Sequence, residues 1–331
     1  MTEQHAAGIV VVRGGALGDV LLGVPALQAL RRHFRGQRLH LVAPQPQAAL
    51  VVAVGAADSA TGLDDTALVP LFLEGRPLDR VPAALRGPGL AVVWLHGANV
   101  IAANLARLGA GRVLSSRALP DPEGDVHAAD WLLSTLAPLG VPAAPGWDAA
   151  PWLALPETAR EWATRWRTAA AGEGPFLVLH VGSGAARKNW PAASWAATVR
   201  DVQARSGLVL VLVAGPADDQ PLAAFQAAAA ARSWQPARPD LVLRTPDLSR
   251  LAGVLQQAAV YLGNDSGVTH LAAALGTPTV AVFGASDPKL WRPRGPRVRV
   301  LGAPGAWPEP DAVAAAARLL VAGGPYAAGD A

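Results

Sequence analysis

The sequence predicts an α/β protein of two domains, each a parallel sheet wrapped by helices on both faces. Three observations predict it. Short β-rich runs alternate with helical patterns over the first half of the chain. Val141–Pro156 (VPAAPGWDAAPWLALP) then carries four prolines in sixteen residues and has neither period. Beyond it the alternation restarts. Alternating strands and helices imply a parallel sheet, and proline removes backbone donors, which marks a linker. The expected domains are residues 1–150 and 151–331, two Rossmann-like halves facing a cleft. Open sheets of this kind hold ligands at the carboxyl ends of their strands.

Each element has its own warrant. Gly8–Arg13 (GIVVVR) is a continuous apolar run of strand length, as expected of a strand buried on both faces. A glycine loop and an amphipathic helix from about Asp19 to Arg35 follow. Arg38–Ala43 and Leu90–Leu95 are further strands, and His127–Leu139 reads as a helix. In the second half the strands are Phe176–His180, Leu208–Ala214, Val260–Leu262 and Thr279–Phe283. The helices there are Ala192–Ser206, Leu222–Arg232, Leu248–Ala258 and Val268–Leu275. The tail from Gly323 is expected to fray. Most of the eleven tryptophans, such as Trp162, Trp166 and Trp195, fall at helical spacing and read as core.

Composition excludes several classes. Of 331 residues 51% are hydrophobic and 16% charged, the reverse of the disordered signature. The most apolar windows are strand-length, well short of the roughly 20 residues a membrane span needs. The opening MTEQHAAG has neither basic nor apolar region, so no signal peptide is expected. The absence of cysteine removes disulfides, thiolate metal sites and a cysteine nucleophile. These features predict a soluble, cytoplasmic protein with at most peripheral membrane contact. Residues 1–155 carry 11 Arg against 12 acidic groups, and the remainder 17 basic against 13. With no basic run interleaved with aromatics, no nucleic-acid partner is expected. Only Lys188 and Lys289 are lysine. A lysine kept amid so much arginine marks a place where a compact ammonium is wanted.

Four loops hold candidate chemistry. Gly14-Gly15-Ala16-Leu17-Gly18-Asp19 leads into the first helix, where glycines admit a ligand to the backbone and the helix start attracts anions. It is not a dinucleotide fingerprint: the spacing differs, and Val20–Ala57 contains no acidic residue to hold a ribose. Asp19 is either a helix N-cap or a general base. Gly182-Ser183-Gly184-Ala185-Ala186-Arg187-Lys188-Asn189-Trp190-Pro191 lacks the P-loop pattern. It reads as a diphosphate site, with Ser183 a donor and Lys188 a point charge, or as a solvated basic turn. Asp218 and Asp219, after the strand Leu208–Ala214, suit a ribose or cap a helix. Gly263-Asn264-Asp265-Ser266-Gly267-Val268-Thr269-His270 runs into an apolar helix. Its amides form an anion cradle, or Asp265 and Ser266 serve as ordinary caps. The helix dipole disfavours a charged His270. No metal-ligand cluster, HExxH or D-x-D is present, so the chemistry is expected to use no metal.

Together these segments resemble glycosyltransferase family 9, the heptosyltransferase family. GALGDVLLGVPALQALRR is similar to its N-terminal signature and HAADWLLSTLAPLG to its mid-domain helix. GSGAARKNWPAASW is similar to its donor-phosphate loop, and GNDSGVTHLAAALGTPTVAVFGASDP to its C-terminal signature. The resemblance implies a GT-B fold, with the acceptor on the first domain and the donor on the second. It also implies an inverting, metal-independent transfer of a sugar, heptose in the best-known members, from an ADP-linked donor to a glycan or lipid-linked acceptor, with no other cofactor. Asp19 matches the proposed base, beside Gly15 and Gly18 on the acceptor-side loop. Gly182, Ser183, Arg187, Lys188, Asp265, Ser266, Gly267, Val268 and His270 match the donor-binding residues, and Asp218 lies near the ribose contact. A nucleotide-sugar epimerase of related fold and a non-catalytic nucleotide-binding module are the alternatives.

Overall fold

The computed structural model of the protein describes residues 8–142, 146–234, 241–244 and 247–323. The chain divides into two compact units, Met1–Pro145 and Gly146–Ala331.

The first unit runs β1 (Ile9–Arg13), α1 (Leu17–His33), β2 (Leu39–Ala43), α2 (Gln45–Ala53), β3 (Ser59–Gly62), β4 (Leu90–Trp94), α3 (Asn99–Arg107), β5 (Arg112–Ser116) and α4 (Ala128–Ser134). Its five strands lie in the order β3-β2-β1-β4-β5 and every pair is parallel. Ile9 sits opposite both Leu39 and Leu90. Every residue of β1, β2 and β4 is buried, which is why these runs are apolar throughout instead of alternating.

The second unit runs α5 (Glu157–Ala170), β6 (Phe176–His180), α6 (Ala192–Ser206), β7 (Val209–Val213), α7 (Asp219–Ala230), β8 (Val242–Leu243), α8 (Leu248–Gln257), β9 (Val260–Asn264), α9 (Gly267–Ala274), β10 (Thr279–Val282), α10 (Pro288–Trp291), β11 (Val298–Leu301) and α11 (Pro310–Ala322). Its sheet order is β11-β10-β9-β6-β7-β8, again all parallel. Strand order reverses between β6 and β9, so the loops leaving those two strands diverge at their carboxyl ends and open a crevice. Trp195, Val199, Phe225, Leu212 and Val280 build the core on one face.

The structure corrects several expectations. α1 starts at Leu17, two residues early, so Asp19 occupies the third helical position, and Ala16 is the N-cap. The helix expected over His127–Leu139 stops at Ser134 and resumes as a 3₁₀ turn, Ala137–Leu139, because Pro138 cannot donate to the preceding turn. α7 starts at Asp219, since Pro221 is tolerated in a first turn. Of the three tryptophans read as core, only Trp195 is in it. Trp162 and Trp166 are half-buried, because α5 meets α8 through Ala159 and Ala163, against Gly253, where a Cβ would lie 2.5 Å from the Ala159 carbonyl oxygen. The linker does not run to Pro156. Its later part belongs to the second unit: Trp152 and Leu153 donate to the Ala274 carbonyl at 3.0 and 3.2 Å, and Arg294 binds Asp148 at 2.9 Å. Residues 143–145 of the linker, 1–7 of the opening segment and 324–331 of the tail lie outside the described residues.

Candidate functional site

Three strands that are otherwise mostly apolar end in a polar residue, and each of these residues is buried: Arg13 closes β1, His180 closes β6 and Asn264 closes β9. A buried polar side chain must find partners or cost stability, and the partners of these three organise the loops beyond.

Asn264 is fully buried. Its Nδ2 donates to the Val181 carbonyl at 2.8 Å, and its Oδ1 accepts from the Trp190 amide at 2.9 Å. One carboxamide thereby ties both ends of the glycine-rich loop that leaves β6. Within that loop the Ser183 hydroxyl lies 2.7 Å from both Asn189 Oδ1 and the Ala185 carbonyl, and accepts from the Ala185 amide at 3.3 Å. Ser183 therefore folds the loop. Arg187 is exposed and reaches the Ala285 carbonyl at 3.3 Å. Lys188 Nζ lies 2.7 Å from Asp265 Oδ2, and Ser286 Oγ donates to the same oxygen at 2.5 Å. Loops after β6, β9 and β10 thus converge on Asp265. His270 Nε2 stands 3.8 Å from its other oxygen, an electrostatic contact beyond hydrogen-bond reach. Burial works to raise the Asp265 pKa, but His270 and Lys188 outweigh it and hold the carboxyl well below the usual range.

α9 begins immediately after this acid. Ser266 is its N-cap and accepts from the Thr269 amide at 3.4 Å. The Gly267 and Val268 amides occupy the first turn, where helix dipole and unpaired N–H groups favour an anion. Thr269 donates to the Asn264 carbonyl and lies 3.0 Å from the buried Tyr261 hydroxyl, whose pKa burial pushes up.

Asp218 is not an open carboxylate at the sheet edge. It is buried, and its Oδ2 accepts from the Gly215 amide at 2.6 Å and from His180 Nε2 at 2.9 Å. Burial opposes its ionisation, yet His180 and the Gly215 amide bring its pKa below normal. Its side chain makes no cap bond to α7. A Cβ on Gly182 would stand 1.7 Å from Asp218 Oδ1, so position 182 has no room for a side chain.

In the first unit Asp19 Oδ2 accepts from the Ala16 amide at 2.9 Å, reaching back one turn. Ala16 has no acceptor to reciprocate, so this is half of a capping box. Gly15 adopts φ +110°, and a Cβ there would lie 2.5 Å from the Asp19 side chain. Both facts demand glycine. Gly18 lies in the first turn of α1. Arg13 donates through Nε and Nη2 to the Asp19 carbonyl at 3.1 and 3.0 Å, and through Nη1 to the Ala118 carbonyl at 2.8 Å. Burial lowers the Arg13 pKa, and Asp19 partly offsets this. Among the described residues no group of three or more His, Asp or Glu side chains is placed to hold a metal ion.

A protein-family model described as glycosyltransferase family 9 (heptosyltransferase) matches residues 110–318, more than half of the chain. The chain belongs to glycosyltransferase family 9. The match takes in the loops that follow β6, β7, β9 and β10 and leaves Asp19 outside. Over 115 residues the chain is 32% identical to lipopolysaccharide heptosyltransferase 3 of Escherichia coli, which spans 32% of this chain and 30% of that relative. The chain therefore matches less than a third of that relative's length. Among solved structures, a family 9 glycosyltransferase from Veillonella parvula DSM 2008 matches with TM-score 0.76 and 21% identity, over 97% of this chain and 98% of that one. The E. coli heptosyltransferase WaaC, solved with ADP, matches with TM-score 0.66 and 20% identity, over 94% and 99%. These likenesses establish the GT-B fold.

In this family 9 chain the structure brings Gly182, Lys188, Asp265, Ser266, Gly267, Val268 and His270 to the crevice where strand order reverses. Arg187 stands at its exposed edge, and Ser183 and Asp218 have partners within the protein. No role is expected from the sequence for His180, Ser286 or Arg13, and Asn264 is expected in the loop after Leu262 without one, whereas the strand runs to Asn264. Three of them were visible as a polar residue ending a mostly apolar strand at its carboxyl edge.

Proposed function

We propose that the protein transfers a sugar, heptose in the leading reading, from an ADP-linked donor to a hydroxyl of a glycan or lipid-linked acceptor, inverting the anomeric carbon without a metal ion. The observation that carries this is the cation and helix start at one crevice. Lys188 Nζ is held 2.7 Å from Asp265, and the first-turn amides of α9 follow that acid directly. An ammonium with two further N–H donors, set beside backbone amides at a dipole's positive end, suits a diphosphate. The known complex of WaaC with ADP supports the choice of nucleotide.

In this reading the second unit holds the donor and the first holds the acceptor. The acceptor oxygen attacks the anomeric carbon as the bond to the phosphate oxygen breaks, and the electron pair leaves on ADP. Asp19 takes the hydroxyl proton. Lys188 and the Gly267 and Val268 amides stabilise the departing charge, the kind of preorganised stabilisation that dominates many active sites. A carboxylate is a weaker base than the alkoxide that would form, so Asp19 accepts the proton late, as the new bond forms.

Titration calorimetry with ADP, UDP and GDP tests the donor assignment. ADP is expected to bind tightest, and Lys188→Ala to weaken it about tenfold or more, the worth of one charge-assisted contact. Asp19→Asn is expected to keep ADP affinity while turnover falls at least about a hundredfold. Tighter binding of UDP or GDP would replace the ADP-sugar, and turnover surviving in Asp19→Asn would remove the base.

A further inference from the structure

We propose that His180 is a positioning residue for the donor diphosphate: clamped by Asp218, it holds the Ser266 hydroxyl and so fixes the first turn of α9. The inference rests on the donor-binding reading above. Three buried side chains form one chain of hydrogen bonds. Asp218 Oδ2 lies 2.9 Å from His180 Nε2, and His180 Nδ1 lies 3.2 Å from Ser266 Oγ. An ionised carboxylate only accepts, so Nε2 carries the hydrogen. In the neutral ring Nδ1 is then the acceptor, and it takes the proton of Ser266. The Gly215 amide fixes the far end of the chain at Asp218.

The ring matters because the cap it holds is otherwise loose. The Ser266 bond to the Thr269 amide is 3.4 Å long, near the limit of a useful contact. What anchors the serine is His180: Thr269 Oγ1 lies 3.1 Å away on the other side, but its hydrogen goes to the Asn264 carbonyl, so the hydrogen of Ser266 is left for the imidazole. Ser266 immediately precedes Gly267 and Val268, so its rotamer sets how their amides face an anion. The four preceding residues of β6, Phe176–Leu179, are wholly apolar, and a leucine at position 180 would fill the strand end without burying an acid and an imidazole. Burying such a pair costs solvation that packing alone does not return. An oriented helix start is the return.

Two replacements separate the ring's two contacts. His180→Asn keeps a polar atom near the Nδ1 position and loses reach to Asp218; His180→Gln keeps one near Nε2 and loses Ser266. Calorimetry with ADP and thermal melting are measured on both, on Ser266→Ala and on the double variant His180→Gln/Ser266→Ala. ADP affinity is expected to fall about tenfold in His180→Gln and in Ser266→Ala, the value of one hydrogen bond's worth of alignment, and less than about threefold in His180→Asn. The double variant should bind no more weakly than either single one, because both break the same link. Equal weakening in the Asn and Gln variants that follows their loss of melting temperature would overturn the proposal, as would additive losses in the double variant. Wild-type protein that binds no ADP would instead sink the donor reading itself, and this inference with it.

Discussion

Asp265 carries a charge that the fold makes hard to neutralise. Its carboxylate is buried yet paired with Lys188 at 2.7 Å and bonded to Ser286, and its pKa lies well below the usual carboxylate range. A depressed folded pKa means the pairing stabilises the protein fully above the unfolded value of about 4 and is lost as pH falls below it. Asp265→Asn is therefore expected to cost about 2 kcal/mol at neutral pH. Its deficit relative to wild type should shrink in denaturation curves taken below about pH 4. A deficit unchanged with pH would mean the carboxylate's charge is not what stabilises the site. Asp19 shows a different economy: its bond to the Ala16 amide reproduces a helix-start contact, and its backbone carbonyl is gripped by Arg13. Arg13→Leu removes that grip and is expected to lower turnover more than ADP affinity, as measured by steady-state kinetics beside calorimetry.

Among the elements, the loop between β6 and α6 is held by what lies outside it. Asn264 binds its two ends, and Asp218 leaves no room beside Gly182. Asn264→Leu is expected to destabilise the protein by about 3 kcal/mol, since it orphans the Val181 carbonyl and the Trp190 amide in a dry interior; chemical denaturation measures it. The strand runs and most helices of this region were legible in the sequence, because buried parallel strands are written as continuous apolar runs. The position of α1 was not: Asp at a helix start suits either the cap or the third position, and only the backbone bond to Ala16 separates them. Ser183 and Asp218 were legible as polar residues in the right loops but not as partners of Asn189 and His180. Such pairing joins residues that no local period links. His180 and Asn264 were within reach of a simple argument, that a polar residue ending an apolar strand must be answered by something in the loops beyond.

At the scale of the molecule, each unit has its own parallel sheet and its own buried core, the attribute of a part that folds by itself. Every residue assigned to the donor lies in the second unit. A fragment starting at Gly146 is therefore expected to fold and to bind ADP within about threefold of the whole chain, a difference below the worth of one hydrogen bond, with no turnover. Calorimetry on the fragment decides it; a fragment that is folded yet blind to ADP would show that the first unit supplies donor contacts. Among the described residues no helix is long and apolar enough to cross a membrane.

The scarcity of lysine turns one ion pair into a chemical reporter. The chain holds only Lys188 and Lys289; the first is half-buried against Asp265, and the second is exposed. An amine-directed reagent must part Lys188 from Asp265 before it can acylate it, whereas Lys289 stands at the exposed surface. Every added mass on a lysine peptide then identifies a single site, with the other as its internal clock. The state of the crevice can be followed in unaltered protein, without installing a label.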